Sequence, residues 1–297
     1  MPKFTAARGD YTFHDAEGVT IHYYVWRTGM PRGVVQIVHG VGEYATRYEQ
    51  VAQDLVTAGY TVYAGDLRGH GQTGMEQHGG DVTQLGRLGP GGVRATIGGI
   101  RDLSAIARQE NPELPLVVLG HSLGSLFTQM LLNYDATPYD AAVLSGTAYR
   151  TVLHMNGGDL NKRFRTPGGT GAEWLSRDLD VGRRFATDPL TFDATVMKLF
   201  GLRETLRLLG RPRRLKRDLP LLILIGSDDA LGGPKSVQRL ARAYRRRGRL
   251  TDVTVRIYDG GRHEMFNETN RDEVIADLVA WLDEKAGHAR ESAVESA

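Results

Sequence analysis

The sequence contains no cysteine. That excludes disulfides, thiol nucleophiles and zinc–thiolate sites, and it leaves the redox compartment undetermined. It also has almost no net charge, +2 over 297 residues, so there is no electrostatic case for a nucleic-acid partner. No apolar run approaches the roughly 20 residues of a membrane span. The opening MPKFTAARGDYTF lacks the apolar core of a signal peptide. These absences lead to the expectation of a cytoplasmic protein without stable membrane insertion, with peripheral contact still compatible. What is present is an ordinary apolar fraction. It suffices for one large α/β domain with an insertion, or for two small domains.

The most informative stretch is LPLVVLGHSLGSLFTQML, residues 114–131. Leu116, Val117, Val118 and Leu119 form the short apolar run of a strand buried on both faces. The run stops at Gly120-His121-Ser122-Leu123-Gly124, and Leu126, Phe127, Met130 and Leu131 follow at helical spacing. Strand, tight turn and helix therefore meet at Ser122, the context in which G-x-S-x-G acts as a nucleophile elbow. The turn is too sharp for bulky neighbours, hence a glycine two residues to either side. The Leu123 N–H, at the helix start, is placed to meet an oxygen that becomes negative.

The rest of the chain alternates strand and helix. Residues 10–26 read as two antiparallel strands, and Val34–Val38 as a third, ending in His39-Gly40-Val41-Gly42-Glu43. A helix from about Arg47 leads to a strand over 61–64, which ends in Asp66-Leu67-Arg68-Gly69-His70-Gly71. Residues 74–93 are glycine-rich and read as loop, and 93–110 as helix. Further strands are expected at 141–144, 219–225 and 253–258, and helices near 234–247 and 271–284, before a small polar tail expected to be disordered. The fold class is thus α/β, a doubly wound, mostly parallel, eight-stranded sheet. The alternation breaks between 147 and 206, where glycine-rich loops and a leucine stripe (Leu199, Leu202, Leu206, Leu209) suggest an inserted helical cap. The domains are then a core of 1–146 with 207–297, and a cap of 147–206, the stripe serving cap packing.

A serine hydroxyl needs a base, and the base an orienting acid. Functional groups in such sheets collect at the C-terminal ends of strands. The strand over 219–225 ends in Gly226-Ser227-Asp228-Asp229, and the strand over 253–258 in Asp259-Gly260-Gly261-Arg262-His263. Serine, acid, histidine is the α/β-hydrolase order. Ser122 is therefore assigned as nucleophile, His263 as base then acid, and Asp229 as orienting acid, with Asp228 and Asp66 as rival acids. His39, His70 and His121 are alternative bases: His39 is expected to tie its own loop to the sheet and His121 to be locked in the elbow. His14, His22, His78, His154 and His288 read as surface or packing residues. The second oxyanion donor is expected at Val41, beside Leu123. Glu43 and Arg47 read as a structural ion pair. The basic runs at 211–217 and 245–249 read as solvated faces.

These motifs together resemble the monoacylglycerol lipase and lysophospholipase branch of the α/β-hydrolases, the serine aminopeptidase-like group. The matching residues are His39–Glu43 with Arg47-Tyr48, Asp66–Gly71, Gly120–Gly124, Gly226–Asp229, and Gly261–Glu264 with Phe266-Asn267-Glu268. Leu175-Ser176-Arg177-Asp178 and Asp188-Pro189-Leu190 add a phrase within the insertion. In the family's pattern the acid is the third residue after the glycine, here Asp229. The resemblance implies an α/β-hydrolase that uses no cofactor and no metal. Its expected activity is serine carboxylic-ester hydrolysis through an acyl-enzyme, on monoacylglycerols or short to medium acyl esters. Lysophospholipid, lactone and amide or peptide hydrolysis stay open as alternatives. A serine at the elbow excludes the carboxylate chemistry of haloalkane dehalogenases and epoxide hydrolases. A non-catalytic ligand-binding protein of the same fold would have no need of all three groups. One departure stands out: residues 150–172, apolar in the family's lipases, are polar, basic and glycine-rich here. That points away from long acyl chains and interfacial docking.

Overall fold

A computed structural model of the chain describes residues 6–193 and 195–294, with side chains as far as Lys285. Eight strands form one sheet: β1 (Arg8–His14), β2 (Thr20–Trp26), β3 (Gly33–Val38), β4 (Tyr60–Gly65), β5 (Leu116–His121), β6 (Ala141–Ser145), β7 (Leu221–Gly226) and β8 (Val253–Tyr258). Their spatial order is β1-β2-β4-β3-β5-β6-β7-β8. The first three in that order pair antiparallel and the rest parallel. The central strands are continuous apolar runs because both faces are covered. Side chains alternate between two cores: Val34, Leu116, Val118, Leu221 and Ile223 face one, and Val35, Val117, Leu119, Leu222 and Leu224 the other.

Eight helices are interleaved with the strands among the described residues: α1 (Glu49–Thr57), α2 (Gly71–Gln77), α3 (Gly92–Glu110) and α4 (Leu123–Tyr134), then α5 (Leu179–Thr187), α6 (Val196–Arg207), α7 (Gly233–Ala243) and α8 (Arg271–Val294). Leu103 of α3, Phe127 of α4 and Leu240 of α7 seal one core. Leu55 of α1 and Leu278 and Trp281 of α8 seal the other.

Three readings of the sequence need correction. Part of 74–93 is not loop: α2 reaches Gln77 and a short 3₁₀ turn covers Val82–Gln84. Partners outside the helix hold α2, the Asp66 carboxylate six residues back accepting from the Gln72 N–H at 2.8 Å and Thr73 Oγ1 accepting from the distant His22 N–H at 2.8 Å. The leucine stripe does not pack as one face. Gly201 takes φ 73°, ψ 173° inside α6 and rotates the register, so Leu208 is buried while Leu202 and Leu206 stand exposed. The final helix continues past 284 to Val294, into the segment read as a disordered tail. The side chain of His288 and residues 295–297 lie outside the described residues. Among the described residues the chain forms no strand between β6 and β7, and α5 and α6 fall in that stretch. No helix among the described residues is long and apolar enough to cross a membrane.

Candidate active site

Ser122 sits between β5 and α4 with φ 51°, ψ −122°, a conformation L-residues rarely adopt. Its N–H donates to Ser145 O at 3.0 Å, and its carbonyl accepts from the Ser125 hydroxyl at 2.6 Å, fixing the turn from both sides. The flanking glycines are demanded by close approach. A Cβ on Gly124 would lie 2.1 Å from Val38 O and 2.4 Å from His39 O, and one on Gly120 would lie 2.4 Å from Thr128 Oγ1. The Gly124 obstacles are main chain and cannot swing away. Gly124→Ala is therefore expected to destabilise the fold by about 3 kcal/mol. Gly98→Ala, in helix α3 with nothing within 4 Å of the added carbon, should stabilise it by about 0.5–1 kcal/mol. Urea unfolding midpoints of the two variants check the contrast.

The loops after β7 and β8 are laced together. Ser227 N–H donates to Tyr258 O at 2.8 Å, and Asp228 N–H to Gly261 O at 2.9 Å. This brings Asp229 to His263: Nδ1 and the carboxylate Oδ2 are 2.8 Å apart, both side chains almost fully buried. The other oxygen of Asp229 accepts from the Leu231 and Gly232 N–H groups at 2.7 and 3.1 Å, which fixes the carboxylate's direction. Burial opposes charge on the His263 ring, but the Asp229 carboxylate, with Glu264 and Glu43 adding to it, leaves the pKa above its ordinary value. Nε2 of His263 is buried and has no hydrogen-bond partner among the described residues. Leaving such an atom unpaired costs about 1–3 kcal/mol. Asp228 goes elsewhere, its side chain half exposed beside Arg163.

The rival bases are held elsewhere: His70 Nδ1 lies 2.9 Å from Arg68 O, although its Nε2, like that of His263, is buried without a partner among the described residues. His39 Nε2 accepts from the Leu67 N–H at 2.9 Å, so this ring ties its own loop to the loop after β4 rather than to the sheet itself. Burial pushes His121 down to about 3 and His70 to about 4, and both rings are neutral. Asp66, the remaining rival acid, accepts from the Ala45 and Gln72 N–H groups and holds that loop. Burial raises its pKa to about 6.

Val41 and Leu123 line the cavity beside Ser122, and no described residue accepts a hydrogen bond from either main-chain N–H. The Val41 loop is braced from within: Gly40 N–H donates to Glu43 Oε1 at 2.6 Å, and Arg47 joins Glu43 at 2.8 Å and Glu264 at 3.0 Å. The expected Glu43–Arg47 pair is thus part of a buried triad that reaches the residue after His263. The cavity holds about 380 Å³. Leu126, Phe185, Phe192, Val196 and Leu208 give it apolar walls, and Asn156, Asp159, Asn161, Arg165 and Asp193 a polar end. Sequence reasoning missed Trp174, which also lines it. Trp174 is one of three tryptophans and directly precedes the Leu175–Asp178 phrase, the one signal that could have drawn attention to it.

An eight-stranded, mostly parallel sheet with a strained serine between β5 and the following helix defines an α/β-hydrolase. The chain belongs to the serine aminopeptidase, S33, family, which it matches over residues 29–270. It is 33% identical over 300 aligned positions to the monoacylglycerol lipase of Mycolicibacterium smegmatis, covering 94% of this chain and 98% of that one. It is 24% identical to the monoglyceride lipase of Mus musculus, covering 93% and 90%. Among solved structures, a thermostable carboxyl esterase from Bacillus coagulans in complex with glycerol superposes with a TM-score of 0.82 at 22% identity, covering 95% and 100%. A soluble variant of the monoglyceride lipase of Saccharomyces cerevisiae, in complex with a substrate analog, gives 0.74 at 19%, covering 96% and 97%. These two structures share the fold, and the named relatives are lipases and esterases.

Proposed function

We propose that the protein is a serine carboxylic-ester hydrolase working through an acyl-enzyme, on monoacylglycerols or on short to medium acyl esters. The observation that carries this is the 2.8 Å contact between Asp229 and His263, with the other imidazole nitrogen left buried and unpaired in the same rim as Ser122. In this reading His263 Nε2 takes the Ser122 proton as Oγ attacks the carbonyl. The Val41 and Leu123 N–H groups hold the oxyanion. The imidazolium then protonates the leaving alcohol, and water repeats the sequence to release the acid. Residues 147–206 act as a cap on a core of 1–146 and 207–297.

The cavity's volume and its apolar walls support a medium acyl chain, and its polar end a hydroxylated alcohol. A panel of p-nitrophenyl and glyceryl esters tests the reading. Turnover should peak between hexanoyl and decanoyl. An optimum at acetyl or butyryl would remove the monoacylglycerol assignment, and no turnover of any ester would remove the hydrolase.

A further inference from the structure

The indole of Trp174 packs on the His263 imidazole, with ring centroids 4.7 Å apart and planes tilted by 37°. This contact is clamped from both residues that flank the histidine. The Arg262 guanidinium donates to Glu173 O at 2.6 Å and Ser176 O at 3.0 Å, and the Glu264 N–H donates to Leu175 O at 2.7 Å. Further out, Ser176 Oγ donates to Asn267 O at 2.9 Å, and Arg177 donates to Glu268 at 2.8 Å through its side chain and 3.0 Å through its N–H. On its other side, the Trp174 N–H donates to Asn161 Oδ1 at 2.9 Å. Residues 173–177 therefore travel with the histidine loop, although the chain enters them from the cap.

We propose that Trp174 is a positioning residue: its π face orients the His263 ring and favours the imidazolium that forms in each half-reaction. The inference rests on the proposed role of His263. The physical reason is that indole is the best π partner for a cation, and the contact strengthens only when the ring acquires its proton. Other charged or titratable side chains lie around the ring. Asp229 contacts Nδ1, Glu264 and Glu43 share Arg47, Arg262 lies along the clamp, and His121, with its centroid 4.9 Å away, is neutral.

Trp174→Leu removes the π face and Trp174→Phe keeps one. Both open the cavity, so KM should shift in both. The leucine variant should lose about 5- to 30-fold in kcat, with the acid limb of kcat/KM moved down by about half a pH unit, while phenylalanine restores most of each. Equal kcat losses with an unmoved limb would reduce Trp174 to cavity wall and overturn the proposal. A second measurement needs no turnover. Trp26 and Trp281 are buried in the core sealed by α1 and α8 and subtract out in a difference against Trp174→Phe. The difference emission of the Ser122→Ala chain should fall as His263 protonates, since an imidazolium quenches indole more than a neutral ring does. A flat difference titration from pH 5 to 9 would also overturn the proposal. Loss of ester turnover in the unsubstituted chain would instead sink the hydrolase reading and leave this titration interpretable.

Discussion

Ser122→Ala is expected to lower kcat for any ester substrate by about 10⁴–10⁶-fold, and to abolish covalent labelling by a fluorophosphonate. The hydroxyl is the only nucleophile the elbow presents, and alanine removes one oxygen without touching the turn. Ser122 N–H still reaches Ser145 O, and the Val41 and Leu123 N–H groups proposed to hold the oxyanion are left unchanged. KM should therefore change little. His263→Ala should cost a similar factor, and the double variant hardly more than either single one, because each residue is idle without the other. Steady-state hydrolysis of the best ester of the panel, together with labelling of each variant, checks all three statements. Turnover within about 10-fold of the unsubstituted chain would exclude Ser122 as nucleophile, whatever the family.

What could be read in the sequence was governed by range. The buried strands announce themselves locally, since β3, β5 and β7 are apolar on both faces and each ends in glycine or polar residues at the rim. The elbow is legible from its local pattern, an apolar strand, G-x-S-x-G and a helical repeat, although the contacts that demand Gly124, with Val38 O and His39 O, come from a strand distant in sequence. Elements set by partners outside their own pattern were not legible. Helix α2 depends on Asp66 and His22, so its glycines read as loop. The leucine stripe of α6 fails because a single left-handed glycine breaks a pattern that assumes an unbroken helix. The junction of Asp229 with His263 could be guessed from strand order. The stacking of Trp174 on the same ring could not, since it joins an irregular segment to a loop 89 positions away, the span of the Arg262–Glu173 clamp. The same clamp refines the cap assignment. Residues 173–177 lie within the proposed cap of 147–206 yet are bonded to the histidine loop of the core, so any opening of the cap must hinge on either side of them.

Asp229→Asn is expected to lower kcat by about 10⁴-fold, while Asp228→Asn stays within about twofold. The two side chains are adjacent in sequence but differ in surroundings. Asp229 is buried against Nδ1 of His263 and pinned by two N–H groups, whereas Asp228 is half exposed beside Arg163. An asparagine at 229 loses the negative charge that stabilises the imidazolium and ceases to enforce the tautomer with the proton on Nδ1. The pH profile gives an independent sign. The base works only when neutral, so kcat/KM rises with pH through the His263 pKa. Burial pulls that pKa down and the Asp229 carboxylate, with Glu264 and Glu43 adding to it, lifts it above the ordinary 6.5, so the acid limb of the unsubstituted chain should have its midpoint above 6.5. Without the Asp229 carboxylate, burial is opposed less, and the residual activity of Asp229→Asn should show its limb at lower pH. Rate profiles from pH 4 to 9 on a soluble ester decide the matter. If the Asp228 variant collapses and the Asp229 variant does not, the acid has been assigned to the wrong neighbour. If neither limb moves, the ionisation that limits the rate belongs to a group other than His263.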